Sequence, residues 1–147
     1  SLFPALARGC QAFESRPMML WAKAFAATLV IVVILDAIWL ASMRGFYRAQ
    51  LGSLIAARVN WRAAAAFYLI FAAGLAFFTV LPSQHRPLHE IFLVGALFGL
   101  VTYGTYDLTN LATLARWPVR FSLVDMAWGV VFCGLATLAG TQALHLL

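Results

Sequence analysis

Five acidic residues stand in this chain of 147, and three of them, Asp36, Asp107 and Asp125, fall inside long apolar runs. A carboxylate near the centre of a membrane helix costs about 2.5–3.5 kcal/mol on insertion scales, so three such residues call for a reason. Their surroundings repeat a theme. Leu35-Asp36-Ala37-Ile38-Trp39 and Val124-Asp125-Met126-Ala127-Trp128-Gly129 both read Asp-x-x-Trp. That spacing sets carboxylate and indole on one helix face, one turn apart. Between the two, Gly99, Tyr103, Tyr106, Asp107 and Asn110 recur at helical spacing and form one polar and aromatic stripe. Such side chains can act as a general acid, carry a proton, or hold a cationic group against aromatic faces. Asp36, Asp107 and Asp125 are therefore the candidate catalytic residues. Trp39, Tyr103, Tyr106, Asn110 and Trp128 are the candidate ligand-binding residues.

Positioning them is a matter for apolar helices. Hydrophobic residues make up 64% of the chain and charged residues 10%, against about 25% charged in a soluble domain. So few charges cannot coat a water-facing surface, which excludes a soluble enzyme, a disordered tail and a disulfide mini-protein. Four runs, about 20–43, 61–81, 89–113 and 121–146, are long enough to cross about 30 Å of hydrocarbon. All five prolines lie outside them, as uninterrupted membrane helices require. Trp21, Trp61 and Trp117 stand at run ends, where an aromatic belt would sit. The links LPSQHRP and ARWPVR are short. The expected fold is all-α: an up-down four-helix transmembrane bundle over 18–147. Between helices one and two, 44–60 mixes arginines with Phe46, Tyr47, Leu51, Leu54 and Ile55, which predicts a short interfacial segment. Residues 1–17 read as a flexible or interfacial extension, with Met18 or Met19 as a candidate start.

In this topology the three aspartates share one half of the bilayer. Helices one and three run toward the links that carry Arg44, Arg48, Arg58, Arg62, Arg116 and Arg120, and helix four runs back from them. The arginine excess places these links in the cytoplasm and both termini outside. The net charge of +5 reads as orientation and contact with anionic lipid, with no nucleic-acid partner.

The stretches LDAIWL (35–40), FYRAQLG (46–52), FGLVTYGTYDLTNLATL (98–114), WP (117–118) and VDMAWG (124–129) resemble the small bacterial membrane proteins grouped as domain of unknown function 2177. The resemblance runs from about residue 19 to the end. It implies four membrane helices in a bacterial inner membrane, crossed several times, and leaves activity and cofactor unknown.

A purely structural role would pair the aspartates with Arg62, Arg116 or Arg120 at the rim, or with Tyr and Trp donors, to fix helix register. A working role would be a pocket that binds or modifies a lipid or other amphipathic molecule. A non-catalytic subunit of a larger membrane complex, with other membrane proteins as partners, and a small proton-coupled transporter are the alternatives. The residue types leave open whether the chain is an enzyme. His85, His89 and Glu90 do not make a metal site, because Pro87 separates the histidines and they lie away from the aspartates. Cys133, inside an apolar run, reads as a packing residue, not as a bridge to Cys10. In a variant lacking both native cysteines, a single cysteine at Ser53 should react with an impermeant maleimide only after the cytoplasmic face is opened. One at Gln84 should react from outside. The reverse pattern would invert the topology.

Overall fold

The computed structural model describes the backbone of residues 3–146 and the side chains of residues 17–146. The expected extension at 1–17 lies largely outside the described side chains. Four helices form the fold: α1 (Phe3–Leu51), α2 (Trp61–Leu75), α3 (Leu88–Thr113) and α4 (Val119–Leu146). No strand occurs among the described residues. Each helix carries a segment long and apolar enough to cross a membrane, and these segments are Pro17–Leu54, Trp61–Ser83, Leu88–Thr113 and Val119–Leu146.

One expectation needs correcting. Helix one does not stop near residue 43 to release a separate interfacial segment. It runs on to Leu51 and ends in a single 3-10 turn, Gly52–Leu54. Gly52 supplies the stop, taking φ +48°, which side chains with a Cβ rarely adopt. The amphipathic pattern of 44–51 is instead the last turns of α1. Phe46 and Tyr47 turn inward, and Arg44 and Arg48 stay exposed. The chain then returns to α2, whose first turn is capped by Asn60, its side-chain oxygen accepting from the Ala63 N–H at 3.2 Å.

The far end of α2 departs from α geometry. A π turn, Ala76–Val80, and a 3-10 turn, Leu81–Ser83, follow it. Pro82 has no N–H for the Phe78 carbonyl, and the Thr79 hydroxyl donates to the Leu75 carbonyl at 2.6 Å, so the regular ladder is broken from both sides. Here the bundle is tightly closed. Thr28, Thr79, Ser83, Thr137 and Thr141 are all buried, and the hydroxyls of Thr79 and Thr137 lie 2.9 Å apart.

Helix α4 is the centre of the bundle, with the longest roll of buried residues. It packs antiparallel to α1 in a constant register: Phe46 meets Phe121, Trp39 meets Trp128, and Thr28 lies beside Gly140. On its other side α3 approaches so closely that a Cβ on Gly99 would collide with the Gly129 carbonyl, and one on Gly129 with the ring of Tyr103. The helix α2 follows α1 but meets α3 and α4 by close backbone approach chiefly through its π turn. Its first turns therefore diverge from α3 and leave a gap between them. Val32, Leu75, Phe132, Cys133 and Ala136 form the core between the two ends. Ile70, Leu97, Val101 and Leu123 face outward, toward lipid.

Because backbone cannot yield as a side-chain tip can, Gly99→Leu should lower the thermal midpoint in detergent and cost about 1–3 kcal/mol of stability. Gly45→Leu, with nothing within 4 Å of its Cβ position, should leave the midpoint unchanged.

Candidate functional site

The site begins with two carboxylates and two phenols. Tyr68 on α2 donates to Asp36 Oδ2 on α1 at 2.5 Å. Tyr47 near the end of α1 donates to Asp125 Oδ1 on α4 at 2.7 Å. Trp39 Nε1 in turn donates to the Tyr47 hydroxyl oxygen at 3.0 Å. Asp125 lies six residues, about 9 Å, inside the start of α4, and Tyr68 about 10 Å inside the start of α2. Both bonds therefore sit well below the helix ends, where water is scarce and an unpaired carboxylate is costly.

The rim arginines do not supply the partners. Among the described residues no arginine forms an ion pair with Asp36, Asp107 or Asp125; Arg86 pairs with Glu90 at 3.5 Å, at the other end of the bundle. Arg120 lies over the Phe46 ring instead, 6.0 Å from its centroid.

Above this pair of bonds the indoles of Trp39 and Trp128 stack face to face, with centroids 4.3 Å apart and planes 1° from parallel. The two Asp-x-x-Trp segments thus meet across the α1–α4 interface, each aspartate one turn from its own half of the stack. Phe71 continues the aromatic wall, edge-on to Tyr103 at 6.3 Å and stacked on Phe132 at 6.0 Å.

Enclosed by these groups is a cavity of about 480 Å³, lined by Asp36, Tyr47, Phe67, Phe71, Thr102, Tyr103, Tyr106, Asp125 and Trp128. It lies where α2 diverges from α3. Phe67 on α2 and Tyr106 on α3, 44% and 53% exposed, stand at its rim. Asp36 and Asp125 each give one oxygen to a tyrosine; the second oxygen of each is not among the sealed, unpartnered atoms of the protein. Both residues stand on the cavity wall, and Asp125 is also backed by Asp107. The indole N–H of Trp128 is buried and donates to no partner.

The eight residues singled out from sequence do not all converge. Asp36, Asp125, Tyr103, Tyr106 and Trp128 line the cavity. Trp39 backs Trp128 from behind. Tyr106 belongs to the rim and not to the interior layer, and its ring meets Trp117 edge-on at 5.7 Å. Asn110 is half-buried and lies outside the lining. Asp107 is fully buried but off the cavity; neither of its oxygens has a hydrogen-bond partner among the described residues, and Ser122, Asp125 and Trp117 are its polar neighbours. Trp117 is no simple belt residue either, since it turns in to donate to Ser122 Oγ at 2.9 Å. Cys133 is free and buried.

Sequence reasoning did not place Tyr47, Tyr68, Phe67, Phe71 and Thr102 in the site. The signal for Tyr47 was present: Asp36, Trp39, Met43 and Tyr47 fall on one helical face, but only if α1 is carried past residue 43. Tyr68 and Phe71 share a face with Leu75 in the same way.

Four spanning helices around an acid- and aromatic-lined cavity define a polytopic membrane protein. Residues 21–142 match the family model described as a predicted membrane protein, domain of unknown function 2177, and the chain belongs to that family. No curated protein and no solved structure matches it.

Tyr68→Phe removes only the hydroxyl that bonds Asp36. It should lower stability by about 1–2 kcal/mol, read as a shift of the unfolding curve in mixed micelles. An unshifted curve would mean that the bond does not hold α2 to α1.

Proposed function

We propose that this protein binds a lipid or other amphipathic molecule whose polar end enters the α2–α3 gap and reaches the Asp36–Asp125 chamber. The observation that carries the reading is the chamber itself: some 480 Å³, mostly apolar walls, polar groups on few positions, and a rim on the lipid-facing side of two diverging helices. Ligand sites have this character, with apolar bulk for affinity and a few polar atoms for orientation. A membrane molecule can enter sideways with its chain still in the bilayer, so little of it changes solvent. Phe67, Phe71, Tyr103, Tyr106 and Trp128 position the ligand. Asp36 and Asp125 supply the polar contact, and a carboxylate at hydrogen-bond reach of a bound group can also exchange a proton with it. Asp107 acts behind Asp125. The membrane in question is the bacterial inner membrane, and its lipids are the partners this reading requires.

The test is retention. Native mass spectrometry of the full chain purified in mild detergent should show a bound lipid-sized species. Thr102→Trp, which fills the chamber from α3, should reduce its occupancy about tenfold or more, equivalent to at least about 1.4 kcal/mol, without lowering the thermal midpoint. Equal occupancy in both proteins, or none in either, would overturn the proposal.

A further inference from the structure

Resting on that reading, we infer that the group the chamber takes is a cation: an organic ammonium head, held by the carboxylates of Asp36 and Asp125 and by the aromatic rings that line the cavity with them. Among the nine lining residues two are carboxylates and none is arginine, lysine or histidine. No ion pair elsewhere neutralises either carboxylate among the described residues. Asp107 adds a third acid behind Asp125. A phosphate or carboxylate brought into this space would meet like charge with no donor cation to offset it, in a medium of low dielectric where repulsion is strong. A cation meets the opposite situation. Its charge compensates the acids, and its remaining surface lies against the rings of Tyr103, Tyr106, Phe67 and Phe71, which attract positive charge.

The hydrogen bonds favour the same polarity. Tyr47 and Tyr68 already occupy one oxygen of each acid as donors. What the acids still offer is acceptor capacity, and an ammonium N–H is the complementary donor. A neutral hydroxyl head could donate to one acid, but it would gain nothing from the aromatic rings beside it.

The experiment uses the full chain in nanodiscs of phosphatidylglycerol, titrated calorimetrically with three probes of equal chain length: dodecylammonium, dodecanol and dodecyl phosphate. Heats from protein-free discs are subtracted. Dodecylammonium should bind saturably and at least about tenfold tighter than dodecanol, with no saturable binding of dodecyl phosphate. Asp36→Asn and Asp125→Asn should each abolish that preference. Tyr106→Leu, at the half-exposed rim and so tolerant of change, should weaken dodecylammonium several-fold more than it weakens dodecanol, which keeps the inference falsifiable if the Asp variants unfold. Ethylammonium competing as well as dodecylammonium would support the ammonium class and assign it to a free amine; failure to compete would assign it to a lipid-borne one. Saturable dodecanol binding of equal strength, lost in Thr102→Trp, would overturn the cation and leave the chamber. Saturable dodecyl phosphate binding would overturn it likewise. No saturable binding of any probe would overturn both readings together.

Discussion

A carboxylate in hydrocarbon must be given donors, and here the donors are phenols on other helices. The Tyr68–Asp36 bond joins α2 to α1, and the Tyr47–Asp125 bond joins α1 to α4. Three of the four helices are thereby set in register by two side-chain bonds, each of which is expensive to leave half-made. The α3–α4 contact is of another kind. There glycines remove side chains from the interface so that backbones meet, as at Gly99 and Gly129. The bundle thus has polar bonds on one side of α4 and close packing on the other. Between α2 and α3, where neither device acts over the first turns of α2, the cavity remains.

The two ends of the bundle show what that difference does. Near the π turn, small hydroxyl side chains from α1, α2 and α4 are buried together, and Thr28, Ser83 and Thr141 keep hydroxyls with no partner. Threonine and serine are small enough for helices to close around them, and their i−4 carbonyls stand ready as acceptors. At the other end the buried polar groups are aspartates, whose partners are long aromatic side chains.

Much of this was legible beforehand. Apolar length and proline placement pointed to four membrane helices, because lipid allows little else, although the first runs on past residue 43 to Leu51. The Asp-x-x-Trp repeat marked the α1–α4 stack from both sides. The misplacements came from two sources. Arg44 and Arg48 made the end of α1 look interfacial, although an arginine can remain on a membrane helix with its head toward water. That single boundary hid Tyr47. The second source is rotation about the helix axis: spacing shows which residues share a face, not which neighbour the face meets. Tyr103 and Tyr106 fall within one turn of each other, yet one lies in the wall and the other at the rim; Asp107, next in sequence, points away from both. Long-range partners such as Phe67 and Phe71 carry no local signal distinguishing them from ordinary apolar residues.

A bundle needing only register could have used the hydroxyl pairs of its other end, at far lower desolvation cost than a carboxylate incurs. Nor does stability require a space left beside the acids, since an unfilled volume forfeits contacts that larger side chains would make. Thr102 lines that space and presents a small side chain where a leucine would fill part of it. Structural economy therefore accounts for the tyrosine bonds but not for the place of both acids on the wall of an unfilled space.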